Sequence, residues 1–116
     1  METPIDFKIS SESRGGARVI SVAGDLDLST HEKLGERLVE EAGKGEPVIV
    51  DLAKCGFIDS SGLRSILIGL RASGEKGSGL SVAAPGPQVR RILEMTGLDQ
   101  EVEIHDSVDD ALAAVA

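Results

Sequence analysis

The stretch GFIDSSGLRSIL, residues 56–67, decides the fold, because the apolar pattern changes period inside it. Just upstream, PVIVDL (residues 47–52) is a β-branched run without polar alternation, as expected for a central strand covered on both faces. Downstream, Leu63, Ile66, Leu67 and Leu70 recur at i, i+3, i+4 and i+7, which predicts an amphipathic helix with those four facing the core. A buried strand running through a short polar turn into a helix is the basic unit of an α/β fold. Asp59, Ser60 and Ser61 stand at the junction.

Outward from this unit the same alternation continues. IDFKIS (residues 5–10) and ARVISVAG (17–24) read as two strands, with SESRGG between them as a hairpin turn and antiparallel pairing expected. Ser29 followed by Glu32 has capping-box spacing, so a helix is expected to start there. Leu34, Leu38 and Ala42 give it an apolar face, and Gly43 stands where a left-handed cap residue belongs. GLSVAA is the next strand. Pro87 suits the first turn of a third helix, with Val89, Ile92 and Leu93 inward and Gly97 closing it. EVEIH makes the last strand. Ser107 with Asp110 then opens a closing helix faced by Val108, Ala111, Leu112 and Val115. The expected fold is α/β: a mixed sheet of about five strands with four helices, mostly crossovers between parallel neighbours, in one domain over residues 1–116.

Composition excludes several function classes. A formal net charge of -8 repels phosphate backbones and anionic lipid, so neither direct nucleic-acid nor membrane binding is expected. With only Phe7 and Phe57 as aromatics, stacking platforms for bases are nearly absent. No apolar run reaches the roughly eighteen residues of a spanning helix, and METPIDFK lacks the features of a secretory signal. A cytoplasmic location is expected. Cys55, the lone cysteine, can form no intrachain disulfide and reads as a half-buried, inert thiol.

Three enzymatic readings of the chain fail on its residues. A serine nucleophile at a strand-to-helix turn would use G-x-S-x-G and a base, whereas the turn here is DSSG, the chain is short for a hydrolase, and only His31 and His105 could serve as base; His31 reads as a solvated residue in the first turn of a charged helix. Asp51 could be a phosphate acceptor at a strand end, with Asp25 and Asp27 holding a metal, but EVEIH ends without the lysine that chemistry needs. It reads instead as a carboxylate satisfied by local N–H groups. GEKGSG (residues 74–79) follows a helix and precedes a strand, the reverse of a phosphate-binding loop, so it is a connecting turn. No catalytic residue, metal site or cofactor is expected.

DSSG remains, with two readings. Asp and Ser are good helix caps, worth about 1 kcal/mol each. Against capping alone stands Gly62, which costs about 1 kcal/mol relative to alanine inside a helix and points to the close approach of another chain. At about 100° per residue, Ser60, Arg64, Ile68 and Arg71 share one arc beside the core stripe, a pattern suited to docking. Asp59 has two uses open to it, capping the helix or orienting the Ser60 hydroxyl.

Taken together, GDLD followed by Thr30, the VIVDL strand, FIDSSGL and the late VRRILEMTGL resemble the STAS family, and within it the bacterial anti-sigma factor antagonists. The resemblance spans nearly the whole chain. It implies a non-enzymatic protein that, unphosphorylated, binds an anti-sigma factor that is also a serine kinase of the GHKL type, and so releases a sigma factor. It further implies that the kinase phosphorylates Ser60, the first serine of DSSG, and that a serine phosphatase restores it. Asp27 and Thr30 correspond to the loop beside that serine in family members. The partner-binding set is then Asp25, Asp27, Thr30, Asp59, Ser61, Gly62, Arg64, Ile68 and Arg71, with Arg64 and Arg71 resting on the helical arc rather than on the resemblance. The competing expectation is the same scaffold as a subunit of a larger signalling or transport assembly, with Ser60 only a cap.

Overall fold

Two glycines decide the first hairpin. Gly15 and Gly16 both have positive φ, +57° and +82°, the pairing a two-residue turn needs to match the twist of its strands. In the computed structural model, which describes residues 7–115, β1 therefore spans Lys8–Arg14 and β2 spans Ala17–Ala23, antiparallel, with Arg14 opposite Ala17. The SESR segment expected in the turn belongs to β1. Positions 5 and 6 of the expected first strand lie outside the described residues.

The remaining elements follow as α1 His31–Ala42, β3 Val48–Lys54, α2 Ser60–Glu75, β4 Leu80–Ala83, α3 Pro87–Met95, a 3-10 turn Leu98–Gln100, β5 Glu103–His105 and α4 Val108–Val115. The sheet order is β1-β2-β3-β4-β5, with β2 through β5 parallel and β3 central as expected. β3 is covered on both faces. Val48, Val50 and Leu52 join the main core with Leu34 and Leu38 of α1, Ile66 of α2 and Leu93 of α3. Ile49 faces the other way, with Val19, Ala83 and Ala111, under Val108 and Leu112 of α4.

Several local expectations are corrected. The Ser29–Glu32 capping box does not form: Asp27 engages Ser29 instead, and Thr30 is the N-cap of α1. Gly43 is right-handed at φ −60°, and the positive φ falls two residues later, at Gly45. The left-handed Gly97 does follow α3. Leu67 is exposed, since it sits at the edge of the α2 stripe, and Leu70 is only partly buried. Val115 is exposed at the end of α4, whose opening is capped as expected by Ser107, its Oγ accepting from Asp110 N at 3.0 Å. Asp51 does not end its strand, which runs on to Lys54, but its carboxylate does accept a local N–H, from Ala53 at 3.0 Å. EVEIH contributes only three residues to the sheet because Glu101 N and Val102 N both donate back to Leu98 O, at 2.9 and 3.0 Å, instead of joining the ladder. Cys55 is fully rather than half buried; desolvation raises its thiol pKa, and its Sγ contacts the Phe57 carbonyl oxygen at 3.2 Å.

One buried charge is accounted for. Glu41, on the core side of α1, accepts from Arg18 Nε at 2.6 Å and from Lys44 Nζ at 3.3 Å. Burial opposes its ionisation, but these two cations outweigh it and hold the carboxyl below the ordinary range.

Candidate functional site

β2 and β3 do not separate where the sheet ends. A register shift after Ser21 lets the two chains run on side by side: Gly24 N donates to Lys54 O at 3.0 Å, Leu26 N to Phe57 O at 2.9 Å, and Asp59 N to Leu26 O at 3.0 Å. Leu26 and Ile58 form an isolated parallel bridge, and both are buried. This zipper brings the loop carrying Asp25, Asp27 and Thr30 against the start of α2.

Gly62 explains the closeness. A Cβ there would stand 2.8 Å from Ile58 Cγ1, Leu26 Cβ and Leu26 O alike. The close approach expected from another chain is thus made by this chain's own Leu26, and Gly62 is buried. Its role is to seat the loop rather than to present a surface.

Asp59 is the N-cap of α2, its Oδ1 accepting from Ser61 N at 2.9 Å and Gly62 N at 3.0 Å. That arrangement fixes the first turn and leaves Ser60 exposed at the first helical position, with Ser61 half-buried behind it. Arg64, Ile68 and Arg71 are also exposed, so the arc drawn from helical geometry lies on the surface. Along the helix Arg64 is roughly 6 Å from Ser60 and Arg71 roughly 16 Å, so only Arg64 belongs to the immediate rim.

The facing loop is held by its own polar groups. Asp27 Oδ1 accepts from Ser29 Oγ at 2.6 Å and Ser29 N at 2.9 Å, while Thr30 Oγ1 accepts from Asp27 N at 3.0 Å and donates to Asp25 O at 2.7 Å. The hydrogen bond from the Ser29 hydroxyl, then that from its amide, holds the Asp27 carboxyl below the usual carboxylate range. A group with a lowered folded pKa stabilises above its unfolded pKa, and that contribution disappears as pH falls through the folded pKa. Amide exchange at Ser29 is therefore expected to accelerate on acidification below the ordinary carboxylate range, and to be fast at all pH values in Asp27→Ala. Exchange that is slow and pH-independent beyond its intrinsic chemistry would contradict this account.

Two residues of the rim escape the sequence argument. Leu28 is 76% exposed and Phe57 39%, large apolar side chains flanking the acidic loop and the α2 junction. The available signal was a leucine between Asp27 and Ser29 that no helix stripe or strand alternation uses. The assembled rim holds the carboxylates of Asp25, Asp27 and Asp59, the exposed apolar side chains of Leu28 and Phe57, the exposed Ser60 hydroxyl and Arg64. His31 and His105 are both only half-buried, and His31 is less solvated than expected, at the start of α1.

The sequence pattern of the STAS domain matches residues 8–111. The chain belongs to the STAS domain family. Its relatives include the anti-sigma F factor antagonist of Paenibacillus polymyxa, 29% identical over 110 residues and covering 93% of this chain and 94% of that one. The anti-sigma-F factor antagonist RsfB of Mycobacterium tuberculosis H37Rv is 28% identical over 116 residues, 99% of this chain and 94% of that one. Among solved structures, an anti-sigma factor antagonist from Mycobacterium paratuberculosis superposes with a TM-score of 0.88 at 29% identity, covering 99% and 98% of the two chains. The five-stranded mixed sheet with four helices is the STAS fold. Among the described residues no helix is long and apolar enough to cross a membrane.

Proposed function

We propose that this STAS protein is an anti-sigma factor antagonist that works by partner switching, with Ser60 as the switch. The observation that carries the reading is an exposed serine hydroxyl at the first position of α2, beside a loop zipped to the same helix start. The relatives named above, matched over nearly their whole length, support the antagonist role. In its unphosphorylated form the protein docks an anti-sigma factor through the Asp25–Thr30 loop, Asp59, Ser61 and the exposed arc of Arg64, Ile68 and Arg71. That partner is a serine kinase of the GHKL type, which transfers the γ-phosphoryl of ATP to Ser60 Oγ. A serine phosphatase reverses the step by hydrolysis. The chain itself performs no catalysis; it works in the cytoplasm as one domain and contacts neither nucleic acid nor membrane.

Ser60 suits that chemistry. A phosphate there adds about −1.5 to −2 charges at a helix N-terminus, where backbone N–H groups tolerate it. The fold stays intact while the rim, already acidic, turns strongly repulsive. The reading is tested by incubating the full chain with ATP and the anti-sigma kinase from the same genome, followed by intact and peptide mass spectrometry. One phosphate on wild type and Ser61→Ala, and none on Ser60→Ala, is expected. Phosphate on Ser61 or Thr30 instead would move the switch, and no transfer at all would leave Ser60 as a helix-start residue.

A further inference from the structure

A groove runs between α1 and α2, on the side of α2 where Ile68 lies. It has a volume of about 510 Å³; Gly35, Val39 and Ile68 form its floor, and Glu32, Glu36 and Glu40 line its α1 side. Val39 is 48% exposed and Ile68 41%, so the floor is apolar and open to solvent. The depression comes from small residues where the helices cross: Gly69 packs so tightly that a Cβ would stand 2.7 Å from Leu38 Cδ1, and Gly35 lies over Ser65. The three glutamates, spaced i, i+4 and i+8, make a carboxylate row along α1 about 12 Å long. Across the floor, Arg64 and Arg71 stand one turn either side of Ile68, farther from α1 than Ile68 itself. Among the described residues none of these five charges makes an ion pair.

We propose that this groove receives an amphipathic helix of a protein partner, with an apolar ridge on the floor, a basic flank against α1 and an acidic flank against the α2 arginines. The inference rests on the reading that the exposed face of α2 docks a partner, and it extends that face across α1. The glutamate row on the α1 bank and the α2 arginines beyond the groove's Ile68 edge select both the sign and the side of the partner's charges. Two turns of helix match the length of the glutamate row, and an i, i+3/i+4, i+7 ridge matches its apolar floor. A second copy of this chain is disfavoured by shape, because two concave faces leave a void between them. Nucleic acid and anionic lipid meet the carboxylate row and are repelled.

The test uses a synthetic helical peptide of about 18 residues with a Leu/Ile ridge, Lys on one flank and Glu on the other, titrated into the ¹⁵N-labelled full chain. Two companion peptides carry Ser in place of the ridge, or Glu on both flanks. Saturable binding with shifts centred on Gly35, Val39 and Ile68 is expected for the first peptide. The ridgeless peptide should not bind, and the doubly acidic one should bind roughly tenfold more weakly. In the combined Glu32→Lys, Glu36→Lys, Glu40→Lys variant that preference should invert, and Ile68→Ser, a surface change, should weaken binding roughly tenfold with an unchanged melting temperature. No saturable binding, or shifts on the open sheet face around Ser21 and Asp51, overturns the proposal. So does self-association that Ile68→Ser abolishes, which would give the groove to a second copy. The peptide does not need Ser60, so Ser60→Ala should bind it equally. Peptide binding without Ser60 phosphorylation would remove the switch and keep the groove, whereas phosphorylation without peptide binding would do the reverse.

Discussion

Gly62→Val should destabilise the protein by about 3 kcal/mol, read as a shift of the denaturant midpoint with little change in slope. The cause is local: the new Cβ would stand 2.8 Å from the carbonyl oxygen of Leu26, a backbone atom that cannot swing aside as a side-chain end can. Ile58 and the Leu26 side chain close the other directions and are themselves fully buried. Gly62→Ala is the sharper test because two effects oppose each other. Helix propensity alone favours alanine by about 1 kcal/mol. Overpacking of the same three contacts costs about 1–3 kcal/mol, so a net loss is expected. A Gly62→Ala protein more stable than wild type would refute the close-approach account. The variant also has a functional reading: movement that relieves the clash displaces Leu26, and with it the loop from Asp25 to Thr30. Partner binding is then expected to weaken together with stability, while Ser60 remains exposed.

The same glycine marks how far the sequence could be read. Its cost inside a helix was visible from residue type alone, and it correctly signalled a close contact. Which segment made the contact was not visible, because the Leu26–Ile58 bridge joins residues 32 positions apart in the chain through a shift in strand register. The central place of β3 and the parallel crossovers were legible because β3 lacks polar alternation and the helices between strands have a clear period. Errors gathered at element ends, where several polar groups compete for few backbone donors. Ser29 had the right spacing to cap α1, yet Asp27 captured both its hydroxyl and its amide. Leu67 kept the i+4 rule but sits at the margin of the stripe, where helical periodicity cannot say whether a neighbour covers it. For the site, Asp59 was legible from capping chemistry, whereas the part given to Ser60 is what the family resemblance implies. Leu28 and the glutamate-lined groove were not, since both depend on how loops and helices pack rather than on any local pattern.

Ser60→Glu should weaken binding of the anti-sigma factor about a hundredfold while leaving the melting temperature within a few degrees of wild type. One unit charge about 5 Å from a like charge, at an effective dielectric near 20, costs on the order of 3 kcal/mol, which is about two decades in Kd. The fold is spared because the added carboxylate sits at the first turn of α2, where the helix dipole favours negative charge by about 0.3–1 kcal/mol. Ser60→Ala, which adds neither charge nor bulk, should bind within a few-fold of wild type and resist the kinase. Salt separates the possible causes of the loss. A Coulombic switch is partly screened, so the gap between Ser60→Glu and wild type should narrow from low salt to 1 M, where the Debye length falls to about 3 Å. A gap that stays constant with salt would mean that the longer side chain blocks docking sterically, and then Ser60→Gln should lose as much affinity as Ser60→Glu. If both substitutions bind like wild type, the partner does not approach the start of α2. The acidic rim formed by Asp25, Asp27 and Asp59 would then be the surface of a helix cap and its neighbouring loop, with Ser60 exposed on it but unused.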